Sequence, residues 1–316
     1  MNSLMKGLSA GPQLILFCAL TLTCIGLGTI VAMGAGTAVF GIPLEDLPLI
    51  LSQPEPRYAH ALIWMNNLTQ IIGFAVPVML YLLLFGGNSI HNLMLNKAGW
   101  MLLAAPVLIV AAAPIIDASA FINQLLIPEN SWLERTFKPT EELAEQMTRM
   151  FLNPTTGVPT AVAFLSIAII PAVCEELVFR GVLMPLLAKI TRNVHASIWI
   201  TAFLFSLIHV QFYGFLPRMI MGALLGYMVI WSGSLWTSIA AHFVNNATAF
   251  IMFQYFGTLE TPENSLFSHW LFYVSACTVF LLLARIFIQK SSWPWNSFNY
   301  LGIPDEQGVH PPTSHG

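Results

Sequence analysis

Glu175 and Glu176, in the stretch "CEELVFRG" from Cys174 to Gly181, lie inside an apolar run of a chain with few charges. They are the only acidic residues within any membrane-length run of this sequence. An ionised side chain at membrane depth costs several kcal/mol, about 2.5 to 3.5 on insertion scales, so something must offset it. On a helix Glu176 and Arg180, four apart, stack on one face and can pair. Glu175 is turned about 100° away and is free to address a different neighbour. The spacing therefore divides the roles: Glu176 with Arg180 as a structural ion pair, Glu175 as the chemically available carboxylate.

His209, in "FLFSLIHV", and His242, in "AAHFVNNATAF", interrupt two further apolar runs. Phe205 and His209 share a helix face, as do His242 and Asn246, while Asn245 points elsewhere. A lone histidine in a buried helix is usually a satisfied core residue. Two of them, with an Asn and an unpaired Glu in the same third of the chain, argue for a site. Ser206 has no obvious base beside it, and no Gly-x-Ser-x-Gly elbow, His-Glu-x-x-His helix or phosphate loop occurs. A carboxylate beside imidazole can act as a general base on water. An Asn amide and a second imidazole can donate hydrogen bonds to the oxyanion formed when water adds to a peptide carbonyl. The set suffices for peptide hydrolysis.

The elements that must position these groups are membrane helices. Of 316 residues, 56% are hydrophobic and 9% charged, with a mean hydropathy of +0.72; a soluble domain carries roughly 25% charged residues. The expected fold is an all-α polytopic membrane bundle. Apolar runs long enough to cross a bilayer fall at roughly 12 to 36, 63 to 86, 98 to 116, 158 to 188, 196 to 212, 217 to 232, 234 to 256 and 268 to 289, about eight spans. The first run is too long for a signal-peptide core and reads as a retained span. Cys18, Cys24, Cys174 and Cys277 all lie in apolar runs and read as small hydrophobes. A net charge of -3 with no basic patch gives no sign of nucleic-acid binding.

Positive charge is retained on the cytoplasmic side. An inside N-terminus places Lys6, Lys97, Lys189, Arg192, Arg285 and Lys290 at cytoplasmic ends. Most acidic residues, among them Glu45, Asp46, Asp117, Glu141, Glu260 and Glu263, fall on the opposite side with Arg57, Arg135, Lys138 and Arg149. Both termini read as cytoplasmic. No internal repeat is visible, unlike many transporters. Four regions follow: a three-span region 1–116, an extracytoplasmic insertion 117–156, a five-span catalytic core 157–290 and a disordered cytoplasmic tail 291–316. In the insertion, "PTEELAEQMTRMFL" reads as an amphipathic helix on the outer membrane surface or a substrate-guiding lid. Thr140 caps its start, and Leu143, Met147, Met150 and Phe151 share one face. The tail is rich in Pro, Gly, Ser and Asn; Trp293 and Trp295 suit an interface, and His310 and His315 read as solvated.

"EELVFR" at Glu175 to Arg180, "FSLIH" at Phe205 to His209 and "HFVNN" at His242 to Asn246 resemble, in order and spacing, the EExxxR, FxxxH and HxxxN motifs of the CPBP intramembrane proteases. That group includes CAAX prenyl endopeptidases and bacteriocin-processing enzymes. The resemblance covers about 158 to 256. It implies that Glu175 and His209 activate water, that His242 and Asn246 stabilise the oxyanion, and that Glu176, Arg180 and Phe205 shape the site. It implies a bacterial cytoplasmic membrane as the location. The substrate is a peptide or membrane protein: prenylated C-terminal peptides, bacteriocin leader peptides and membrane-protein segments all fit. Gly222 and Gly226 form a small-xxx-small pair for close helix packing, and Arg218 reads as an interfacial side chain rather than a substrate clamp.

Three other readings stay open. A metal-free mechanism needs no cofactor, whereas a zinc-dependent one uses Glu175, His209 and His242 as ligands. A proton-coupled transporter also concentrates Glu, His and Arg within spans. A catalytically silent relative acting in bacteriocin immunity is the third. Counted from the span ends, His209 and His242 lie at different depths, so their convergence requires offset or tilted helices. Pro171 is expected to bend or break the fourth span.

Overall fold

In lipid a chain can satisfy its backbone polar groups only within helices or closed barrels. Every regular element among the described residues of this protein is helical. The computed structural model describes residues 7–85, 93–257 and 270–291. The expectations for Lys6, Glu260, Glu263 and the tail from 292, including Trp293, Trp295, His310 and His315, lie outside the described residues.

The helices, in order, are α1 (Ala10–Phe40), α2 (Pro56–Phe85), α3 (Met101–Ala111), α4 (Ala113–Leu125) and α5 (Trp132–Leu152). They continue as α6 (Thr160–Thr191), α7 (Val194–Leu207), α8 (Phe215–Ser232), α9 (Leu235–Phe256) and α10 (Trp270–Lys290). The protein is an integral membrane protein. Five helical segments are long and apolar enough to cross a bilayer, or six if α3 and α4, bent by 41° at their junction, count as one span.

Two of the expected eight, α7 and α9, fall short by length or apolarity, and the reason is local. α7, at 14 residues, spans about 21 Å against a hydrocarbon core of about 30 Å. α9 is long enough, but Thr237, Ser238, His242, Asn245, Asn246 and Thr248 dilute its apolar character. Both shortfalls belong to helices that carry candidate site residues.

α1 and α10 show most of their surface outward, with Ile15 72% and Leu281 66% exposed, as helices facing lipid should. α6, α8 and α9 form the inside. Met184, Ile198, Ala202, Ala223, Val229 and Leu235 pack into one buried cluster joining α6, α7, α8 and α9. The start of α9 is pinned by the chain before α3. Leu235 N–H donates to the Met94 carbonyl at 2.8 Å, Ser234 Oγ to the Asn96 carbonyl at 2.6 Å, and Asn96 Nδ2 to the Gly233 carbonyl at 3.2 Å. The four cysteines are free thiols; Cys24 and Cys174 are buried and Cys18 is exposed.

Within the polar insertion the helix starts earlier than expected. The chain stays helical through Leu125 before it. Its helix begins at Trp132, capped by Ser131 Oγ, which accepts from Glu134 N–H at 3.2 Å. Thr140 is thus an interior residue, and Pro139 lies within the helix. The earlier start follows from Ser131 and Glu134, which supply a cap and a first-turn acid at the spacing of a capping box. The expected face is present, with Met150 and Phe151 buried and Met147 packed against them. Yet α5 is docked on the bundle as well as amphipathic. Gln146 Nε2 donates to the Pro54 carbonyl at 3.1 Å, and Gln254 Nε2 donates to the Leu152 carbonyl at 2.7 Å.

Candidate active site

α6 carries the acidic pair between two π-helical turns, Leu165–Ile169 and Leu177–Leu183. Such turns widen a helix locally and recur at functional sites. Pro171 lies in the first turn after the earlier one, where its missing N–H falls next to an already displaced ladder. The span continues through it to Thr191, so Pro171 does not break the helix.

Glu176 and Arg180 are both fully buried, and Arg180 Nη1 donates to Glu176 Oε1 at 2.7 Å. The expected ion pair is therefore formed, and it has further partners. Arg180 Nη2 donates to the Gly222 carbonyl at 2.7 Å, and its guanidinium stands 4.7 Å from the Phe205 ring centre. A Cβ on Gly222 would lie 3.2 Å from both Arg180 Nη2 and Phe205 Cδ1. The absent side chain lets the α8 backbone approach the guanidinium and accept from it. Gly226 serves the expected close packing, its Cα facing Ile198 of α7. The spacing signal at Gly222 was legible in the sequence, whereas the use of its carbonyl was not.

His242 of α9, 3% exposed, stands between the two carboxylates. Its Nδ1 lies 2.9 Å from Glu176 Oε1 and its Nε2 3.9 Å from Glu175 Oε2. An ionised carboxylate only accepts, so Nδ1 carries the hydrogen and Nε2 faces Glu175. Glu176 thus orients a histidine as well as neutralising Arg180. The Glu175 side chain keeps 12% of its surface exposed, against none for Glu176. Phe205 packs edge-on against His242 at 5.9 Å and His209 at 5.1 Å between ring centres.

His209 lies beyond the end of α7, in the turn that follows Leu207. Its Nδ1 meets the Phe205 carbonyl at 2.7 Å, so Nδ1 is the donor and Nε2 is left for other partners. Ending the helix early answers the depth mismatch between the two histidines, because a turn rather than a tilted helix places His209. That turn is held from several sides. Val210 adopts the left-handed region at φ 54°, a rare state for a β-branched residue. Asn123 of α4 donates to the Phe212 and Tyr213 carbonyls at 2.7 and 2.9 Å and accepts from Leu216 N–H at 2.9 Å. Ser206 Oγ donates to the Phe215 carbonyl at 2.7 Å, a structural use that suits its lack of a base. Nothing in the sequence marked Asn123, which arrives from a distant helix.

Asn246 sits one turn beyond His242 on α9 and is half-buried, its Oδ1 accepting from Asn245 Nδ2 at 3.3 Å. Asn245 also lines a separate cavity of about 250 Å³ with Asp117, Thr248 and Tyr273. The fold therefore brings Glu175, Glu176, Arg180, Phe205 and His242 into direct contact. Among the described residues, no hydrogen bond or ion pair links His209 or Asn246 to Glu175. Nor do any three His, Cys, Asp or Glu side chains among them converge as a metal-binding group. Both Nδ1 atoms of the histidines in the alternative zinc set Glu175, His209 and His242 are engaged, by Glu176 and by the Phe205 carbonyl, which leaves the two Nε2 atoms as the available ring nitrogens.

Residues 157–248, from the start of α6 well into α9, match the family model of the type II CAAX prenyl endopeptidases, Rce1-like. The chain carries a domain of this family. The matched stretch contains every candidate site residue, Glu175 through Asn246, and agrees with the three motifs. No curated protein and no solved structure matches the chain.

Proposed function

We propose that this protein is an intramembrane endopeptidase that hydrolyses peptide bonds with water activated by Glu175. The carrying observation is His242 held by Glu176 at Nδ1, with Nε2 directed at the more exposed carboxylate of Glu175. A water molecule lying off the 3.9 Å line between Nε2 and Oε2 can contact both atoms at hydrogen-bond distance. Glu175, helped by His209, takes the water proton as hydroxide adds to the peptide carbonyl. The Asn246 amide donates to the resulting oxyanion, as does His242 when Nε2 as well as Nδ1 carries a proton. The proton on Glu175 then passes to the departing amine. Arg180 and Glu176 hold His242 rigid, so little reorganisation is needed as charge develops.

The family's description implies peptide substrates, and prenylated C-terminal peptides fit a site inside a membrane bundle. A leader peptide or a membrane-protein segment satisfies the same chemistry. The cationic residues at alternate span ends support both termini on the cytoplasmic side, and the resemblance to the CPBP proteases supports a bacterial cytoplasmic membrane. The test is comparative membrane proteomics of cells carrying the wild-type chain or Glu175→Gln. Loss of specific C-terminal or internal cleavages in the variant, at equal protein level, is the expected result. Identical peptide profiles would sink the proposal.

A further inference from the structure

α7 and α8 are joined by a short turn. Phe205 lies against Gly222; His209 follows Phe205 by four residues, in the turn after α7, and Arg218 precedes Gly222 by four residues in α8. Arg218 stands beside the turn that carries His209. It is half-buried and folded back on the turn, with Nη1 donating to the Gln211 carbonyl at 3.1 Å and Nη2 to Gln211 Oε1 at 2.8 Å. A Cβ on Gly214 would meet Nη2 at 2.9 Å, so the turn is shaped around the guanidinium. A guanidinium has five N–H donors, and these contacts leave others for a ligand.

Two carboxylates interact electrostatically with Arg218: Glu141 of α5 and Glu175. Neither forms a close ion pair with it among the described residues. α5 reaches this place through Phe137, whose ring stacks on Phe212 with centres 3.8 Å apart and planes at 27°. Burial raises the Glu141 carboxyl above its usual range, while Arg218 and the Tyr213 backbone N–H favour its charged form. Glu141 Oε2 is nonetheless buried without a hydrogen-bond partner. An under-satisfied carboxylate is a costly occupant and hence a displaceable one.

We propose that Arg218 binds a carboxylate of the peptide substrate, and that Glu141 occupies this place until substrate displaces it. The assignment rests on the endopeptidase reading and adds a selection rule to it. The carboxylate is either the substrate's C-terminus or an acidic side chain near it; both present the same group to the guanidinium.

The test uses the full-length chain in detergent and three internally quenched prenylated peptides: one with a free C-terminal carboxylate, its C-terminal amide, and an amide ending in Glu. The expected result is at least about a tenfold preference for the free acid over the plain amide, carried by KM. Arg218→Gln should erase the preference by raising KM for the free acid to that of the plain amide, and Arg218→Lys should restore part of it. Glu141→Gln should lower KM for the acid peptide alone. Recovery with the Glu-ending amide assigns the side chain as the source; no recovery assigns the C-terminus. An acid-to-amide ratio of one in the wild type, or a ratio untouched by Arg218→Gln, overturns the inference. Binding of the same peptides to full-length Glu175→Gln requires no turnover. If the wild type cleaves nothing, that measurement still decides: discrimination lost on adding Arg218→Gln upholds the carboxylate site while the hydrolysis reading fails, and no discrimination overturns the site.

Discussion

Two layers of the site are built on opposite terms. In the inner layer Glu176, Arg180, His242, Phe205 and Gly222 are locked together, and both charged side chains are fully buried. In the outer layer Glu175 retains exposed surface, Arg218 leans on an irregular turn, and Asn246 is half-buried. Neighbouring glutamates thus have different surroundings: Glu176 is held through Oε1 by Arg180 and His242, and Glu175 keeps exposed surface. The comparison teaches that the charge buried at membrane depth is spent chiefly on rigidity, and that the rigid layer aims the looser one.

The largest test of this division is Glu175→Gln, which should lower kcat on the order of 10⁴-fold while leaving the folded yield intact. A quenched-peptide assay on detergent-purified protein reads both. Comparable residual activity would place the base elsewhere. Arg180→Met attacks the other layer. It strands a buried carboxylate and should destabilise the fold by about 3 to 5 kcal/mol, read as a fall in monodisperse protein after heating in detergent. A variant that folds normally but fails to cleave would invert the roles of the two layers.

Gly222→Ala presses a methyl group against Arg180 Nη2 and Phe205. It should cost about 1 to 3 kcal/mol and slow hydrolysis, because the guanidinium must shift and His242 moves with Glu176. Gly226→Ala, farther from the ion pair, should lose stability without that catalytic defect. The smallest effect lies outside both layers, at the start of α5. Ser131→Ala removes a cap and should cost about 1 kcal/mol in thermal stability. Glu134 beside it is held below the usual carboxylate range, first by the Asn130 backbone N–H and then by Lys138. Its folded value lies below its unfolded one, so its contribution is complete above the ordinary Glu value of about 4.3 and is lost as pH falls through the folded value. α5 should therefore loosen in acid, which limited proteolysis within 126–152 would detect.

Much of the inner layer was legible because four-residue spacing on a helix leaves little choice of partner. Glu176 and Arg180 pair as their spacing requires, and Phe205 stands one turn from His209 with their rings in contact. Gly222 was recognisable as a packing residue, but its carbonyl acquires a role only when α6 crosses α8. The outer layer was read less well. Hydropathy extended the fifth span through His209, since an apolar average cannot register that α7 stops at Leu207. Nor could it register that Asn123 would clamp the turn from α4. Of the eight expected spans, α7 and α9 fall short of the length or apolarity of a span because one is short and the other carries polar groups.

What the sequence determined by itself is the helical membrane class and the pairing of charges within one helix, because lipid forces helices and the helical period sets which side chains meet. Only the tertiary structure decided which carboxylate His242 would bind, where the guanidiniums of Arg180 and Arg218 would find acceptors, and that α5 would reach the site. Those contacts join residues far apart in the chain, and no local periodicity encodes the crossing of one helix by another.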